Sequence, residues 1–120
     1  MIVRLRGQLS EVHEASVVLD RDGIAYEIFV PSYAVTELSA CRGEDITLHT
    51  LEYLEGSAAG GNITPRIIGF LHPEDRAFFK QFTTVKGVGV RKGLRALAAP
   101  AAQIASLIEA GSPLRVPAFS

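Results

Sequence analysis

Cysteine is nearly absent: Cys41 is the single one among 120 residues, so no internal disulfide can form. His13, His49 and His72 are scattered along the chain, whereas a structural metal site asks for three or four convergent ligands. No stretch approaches the roughly 18 to 20 apolar residues of a membrane-spanning helix. The opening Met1-Ile2-Val3-Arg4-Leu5-Arg6 has no apolar run of the signal-peptide kind. The glycine-rich stretch from Gly56 to Asn62 is not followed by the Lys-Ser/Thr pair and helix of a phosphate-binding loop. No Ser-His-Asp or Cys-His set has supporting context. These absences exclude a disulfide scaffold, a metal centre, a membrane span and a nucleotide-hydrolysing site. They predict a cytoplasmic protein without catalytic residues, cofactor or metal. The length suits one domain, or two small ones sharing an interface.

What is present is ample apolar side chain, 48% of the residues, enough for a core. The formal net charge is −1, but it is unevenly spread. Residues 1–72 hold 5 basic and 10 acidic residues, a balance of −5, while residues 73–120 hold 7 basic and 3 acidic, a balance of +4. A near-neutral total therefore leaves room for an anionic partner of the second part.

The first part reads as strands. Val3, Leu5 and Leu9 alternate with Arg4, Arg6 and Gln8, and Gly7 falls on the apolar side. A second run, Ala15 to Leu19, ends in the turn Asp20-Arg21-Asp22-Gly23, where Gly23 can take a positive φ. Ile24, Tyr26, Ile28 and Val30 alternate up to Pro31, and Ser32 is placed to cap a short helix through about Leu38. Ile46 begins a fourth strand whose alternation slips at Thr50-Leu51, which suggests a bulge or early twist. Ile63 to Leu71 is the fifth. Five strands with a helix between the third and fourth fit the OB-fold, a five-stranded barrel that binds oligonucleotides. An SH3-like barrel or a small sandwich would satisfy the same pattern. Arg4 and Arg6, on the polar face of the first strand, could meet a neighbouring subunit, DNA or water. Cys41, in the loop before the fourth strand, reads as an inert thiol.

The second part reads as short helices. Pro73 suits a helix first turn, and Glu74 and Asp75 suit the positive end of its dipole. Phe78, Phe82 and Val85 follow with helical spacing, as a core stripe. Lys86-Gly87-Val88-Gly89 breaks the helix. Beyond it Val90, Leu94 and Leu97 form an apolar stripe, with Arg91, Lys92 and Arg95 together on another face. A third helix is expected from Pro100 to a C-cap at Gly111. A helix start just behind glycines favours phosphate. Its first N–H groups have no internal partner, the dipole is positive there, and glycine lets a phosphodiester approach the backbone. From Lys80 to Ala99 there are five cations and no acid. Such contacts give affinity and register without base sequence. A solvated basic helix after an ordinary corner is the competing interpretation.

In this order the parts resemble the RuvA family of Holliday-junction-binding subunits. The resemblance is carried by Met1-Ile2-Val3-Arg4-Leu5-Arg6-Gly7, by Gly23-Ile24-Ala25-Tyr26-Glu27-Ile28-Phe29-Val30-Pro31, by Gly69-Phe70, and by Val85-Lys86-Gly87-Val88-Gly89. It runs from residue 1 to about 112. It implies an α+β, β-rich chain: a five-stranded OB barrel over residues 1–72, then a partial helix-hairpin-helix DNA-binding domain over residues 73–120. It implies four-way junction DNA as the ligand, a homotetramer, and a role in recombination and repair. A RuvB-type ATPase would supply the motor, provided that a C-terminal domain follows residue 120. The implied DNA-binding residues are Lys86, Gly87, Val88, Gly89, Val90, Arg91, Lys92 and Arg95.

Three departures from the family pattern stand out. Where the family carries two adjacent acids as a pin at the junction centre, this chain has Glu55-Gly56 and a glycine-rich insertion. A single Glu55 on a looser tip should repel phosphate less well. Around the hairpin glycines the family's Asn and Pro-Lys are replaced by Lys86, Val90 and Arg91, which keeps the charge. The final Leu114 to Ser120 looks like the run-up to a second hairpin whose glycines do not follow, as in a truncated or a degenerate sequence. The alternative function is therefore a RuvA-like oligomeric scaffold with reduced or lost junction binding.

Overall fold

Leu5, Gly7 and Leu9 point inward and Arg4, Arg6 and Gln8 point out, as period-two spacing requires of a strand with one covered face. The computed structural model that shows this describes residues 1–56 and 62–86, together with Gly93 and Leu94. Its elements are β1 (Arg4–Val12), β2 (Ser16–Arg21), β3 (Ile24–Phe29), α1 (Ser32–Ser39), β4 (Asp45–Glu55), β5 (Thr64–Phe70) and α2 (Pro73–Lys86). The strands close into a barrel in the order β1-β2-β3-β5-β4. Every pairing is antiparallel except β3 with β5, which run parallel through Ile28↔Ile67 and Phe29↔Ile68. This is a closed five-stranded barrel of OB type with its helix between β3 and β4.

The turn between β2 and β3 contains only Asp22 and Gly23, because Arg21 pairs directly with Ile24. Both turn residues have positive φ, 51° and 82°, as a type I′ hairpin demands. Asp and Gly are the residue types that tolerate it. Pro31 ends β3 and itself occupies the N-cap of α1, with no side-chain cap; Ser32, expected as the cap, is the first helical residue. Pro31 presents its carbonyl to the N–H groups of Ala34 and Val35. From α1, Ala34 and Leu38 join the barrel core of Leu5, Leu9, Val17, Leu19, Ile28, Val30 and Leu48.

Several sequence expectations shift. Val3 precedes β1 and is exposed, as is Ile24 beside the tight turn. Both are end residues that the barrel does not reach. The slip at Thr50-Leu51 is not a bulge, since β4 pairs with β5 in unbroken register from His49 to Glu55. The alternation fails there because both faces of β4 are covered. Thr50 lies on the barrel side, its hydroxyl donating to the Ile2 carbonyl at 2.7 Å. Leu51 lies on the outer side, beneath α2. The irregularity in pairing falls instead in β1, between Leu9 and Glu11.

The outer face of β4 and β5 carries a second apolar cluster: Leu51, Ile68, Phe70, Phe79 and Leu94. The rings of Phe70 and Phe79 meet at 5.2 Å between centroids, tilted by 46°. This is ordinary attractive geometry for an aromatic pair. Of the expected α2 stripe, Phe78 is only half-buried; the inward residues are Asp75 and Phe79, one turn apart. The Phe82 and Val85 side chains lie outside the described residues. So does the predicted third helix from Pro100.

Candidate nucleic-acid interface

Two parts of the chain were expected to meet DNA: the tip of the β4–β5 hairpin, with Glu55, and the basic run after α2. At the tip, Glu55 is the last residue of β4 and pairs with Thr64. Gly56 follows at φ 128°, and a Cβ there would run into the carbonyl of Asn62, so only glycine fits where the strand turns away. The insertion at 57–61 lies outside the described residues.

Glu55 is held from across the hairpin. Tyr53, Glu55, Thr64 and Arg66 share the outer face of the two strands, and Tyr53 pairs with Arg66. This diagonal brings the Arg66 Nε to 3.2 Å from the Glu55 carboxylate. The Tyr53 hydroxyl donates to the other carboxylate oxygen at 3.4 Å. The Arg66 guanidinium also lies 3.6 Å from Glu27 on β3 and 5.5 Å from the centre of the Phe29 ring. A partly exposed pair of this kind contributes about 0–1 kcal/mol to stability. Its larger effect is on the local field, because the acid expected to repel phosphate has a cation in contact with it. Arg66 is missed in the sequence because finding it requires the hairpin register, Tyr53 opposite Arg66.

The first turn of α2 is fastened to the barrel by directional bonds. Asp75 is only 1% exposed, and its carboxylate accepts a hydrogen bond from the hydroxyl of Tyr33 on α1. Next to it, the Arg76 Nε donates to the Thr50 carbonyl at 2.6 Å. Burial, followed by the bond to Asp75 and the charges of Asp75 and Glu37, raises the Tyr33 pKa far above its ordinary value. Tyr33 therefore stays a neutral donor. Nothing local in the sequence signals this contact, which spans 42 positions.

Of the expected DNA-binding residues, Lys86 is the last residue of α2. Gly87, Val88, Gly89, Val90, Arg91, Lys92 and Arg95 lie outside the described residues, as does the Lys86 side chain. Phe79 precedes these residues in sequence and Leu94 falls among them, between Lys92 and Arg95; both are buried against Leu51, Ile68 and Phe70. Arg4 and Arg6 are exposed on β1, with Arg6 at 3.9 Å from Asp45. Cys41 is partly buried, with its thiol directed at the Glu37 carbonyl. Among the described residues, no three His, Cys, Asp or Glu side chains are grouped to hold a metal. Nor is any helix there long and apolar enough to cross a membrane.

Barrel, interposed helix and docked α2 together define an OB-type module continued by a helical segment. Comparison with known proteins shows what it is similar to. Residues 1–58 match the RuvA N terminal domain. The chain is 45% identical over 109 residues to a Rhodopirellula baltica protein named Holliday junction branch migration complex subunit RuvA, covering 91% of this chain and 53% of that one. Proteins of the same name from Nitrosomonas europaea and Leptothrix cholodnii are 37% and 35% identical, over 81% and 98% of this chain and 46% and 60% of theirs. The chain is thus a homologue of RuvA subunits, and it spans about half the length of the curated relatives it matches.

Proposed function

We propose that this chain is a non-catalytic DNA-binding module of the RuvA type, which binds four-way junctions through their backbone in recombination and repair. The observation that carries the reading is the 45% identity, over 91% of the chain, to a protein named as a branch-migration subunit of Holliday junctions. The acid-free basic run supports it independently. In this reading residues 1–72 form the barrel domain and residues 73–120 the hairpin domain. Lys86, Gly87, Val88, Gly89, Val90, Arg91, Lys92 and Arg95 hold phosphate, and Glu55 acts as a reduced pin. The protein works in the cytoplasm as a homotetramer. A RuvB-type ATPase joins it through a domain beyond residue 120, where one exists.

A gel-shift titration at two salt concentrations tests this. The chain is expected to prefer a four-way junction to duplex and to lose affinity steeply with salt; equal affinity for both removes the junction claim. Changing Lys86, Arg91 and Lys92 to Glu should weaken binding by tenfold or more. It should also flatten the log–log salt dependence by about 0.9 for each phosphate that is no longer neutralised.

One observation favours the second reading, a scaffold that assembles but has lost junction function: the pin acid Glu55 is bonded to Arg66. Unchanged DNA binding in the triple Glu variant would sink the first reading. Unchanged cellular function with that variant would support the second.

A further inference from the structure

We propose that Tyr33 and Asp75 are a positioning pair, whose hydrogen bond sets how α2 sits on the barrel and so where its last residue, Lys86, meets the basic run in sequence. The proposal rests on the phosphate-binding reading of that run.

Apolar contact between Phe79 and the face of Leu51, Ile68 and Phe70 is non-directional, so by itself it lets a helix slide or turn. A buried carboxylate is different, because away from its partner it loses solvation and bonding together. Asp75 is buried at the first turn of α2, and its donor Tyr33 stands on α1. The neighbouring Arg76 reaches the backbone of β4 at Thr50. Two adjacent residues of α2 are therefore tied to two separate elements of the barrel. One tie would leave a pivot, whereas two on different elements fix rotation as well as position. α2 has 14 residues. At the usual rise this is a lever of about 20 Å, so a tilt of about 10° at its start moves its end by roughly 3–4 Å. A displacement of that size takes a backbone N–H or an ammonium out of hydrogen-bond reach of a phosphate.

The test uses the whole chain carrying Tyr33→Phe, which keeps the ring and removes the hydroxyl. Amides in the first two turns of α2 are expected to exchange with solvent about tenfold faster, while those of β1, β2 and β3 are unchanged. Junction affinity should fall about three- to tenfold with the salt slope intact, because the same phosphates are still neutralised. Asp75→Asn, whose side-chain carbonyl still accepts from Tyr33, should recover most of both effects relative to Asp75→Leu. Unchanged exchange in α2 overturns the proposal. So does exchange accelerated equally throughout the barrel, which would mark a merely stabilising bond, and so does unchanged junction affinity beside faster α2 exchange. If the unaltered chain does not bind junctions, the reading of the basic run fails instead. The exchange result then decides alone whether the pair positions α2.

Discussion

Inside the barrel, Leu9, Val17, Leu19, Ile28 and Leu48 are wholly closed off from solvent. On the outer face of β4 and β5, Leu51, Ile68, Phe70 and Phe79 are nearly as deeply buried. The second cluster, however, is bordered by bonds with direction: Tyr33 to Asp75, Arg76 to Thr50, and Arg66 to Glu55. The interior relies less on such bonds, although Thr50 donates to the Ile2 carbonyl there, because closure of the strands already dictates where each side chain points. A helix resting on a sheet has no ladder to fix it, and polar side chains supply the missing geometry. Burial thus specifies the barrel, and hydrogen bonds specify what is attached to it.

Truncations on the two sides put this contrast under the greatest strain. Leu19→Ala should cost about 2–5 kcal/mol and Phe79→Ala about 3–5 kcal/mol. Their costs should fall in different places. Urea unfolding followed by far-ultraviolet circular dichroism and by amide resonances should show the barrel weakened by Leu19→Ala. In Phe79→Ala, α2 should be lost first while barrel resonances persist. A single shared transition for Phe79→Ala would erase the distinction between the regions.

Alkaline pH probes the contact that ties α2 to α1. The Tyr33 pKa lies above its ordinary value of 10, chiefly through burial and then through Asp75. Its neutral hydroxyl therefore contributes fully below about pH 10, and that stability is lost as pH rises further. In an ultraviolet difference titration, Tyr33 should ionise above the ordinary tyrosine range, and that step should accompany detachment of α2. Tyr33→Phe should abolish the late step.

A smaller effect is expected at the hairpin tip. Arg66→Gln should change stability by no more than about 1 kcal/mol, as for other partly exposed pairs. It should nevertheless weaken junction affinity by taking the Arg66 charge away from Glu55 and Glu27, and adding Glu55→Gln should restore it. The smallest test concerns His49, whose pKa is lowered mainly by burial and next by Arg4, against the pull of Glu74. Its titration midpoint should lie below the usual 6.5, moving upward in Arg4→Gln. Stability linked to it is present above that range and fades as pH falls.

The barrel was legible in the sequence wherever one face was buried and the other wet. Leu5 to Leu9 alternate visibly, Asp22-Gly23 marks a two-residue turn, and Pro31 and Pro73 mark where one element yields to the next. Legibility fails where that simple rule fails. Thr50 and Leu51 are both buried because β4 is covered on both sides, and this is how a continuous strand mimics a bulge. Phe79 was hidden behind Phe78, because an aromatic neighbour offers an equally good helical stripe. Tyr33 and Asp75 meet through tertiary packing alone. At the site, the basic residues are legible as composition and Glu55 as a position. That Glu55 is bonded to Arg66 emerges only once the hairpin register is known.

The parallel pairing of β3 with β5 has a consequence for the order in which the molecule forms. Ile28 can meet Ile67 only after the segments of α1, β4 and the hairpin tip, which lie between them, have been synthesised. Until then β3 offers an unpaired edge, the kind of surface that recruits other chains. Such a non-local closure is expected to be the slow step of folding. Lengthening the tip adds little to its entropic cost, about 0.6 kcal/mol for each doubling of a flexible loop. A glycine-rich insertion is thus a change the folding pathway can absorb, and the last barrel strand to be synthesised is the one that seals it.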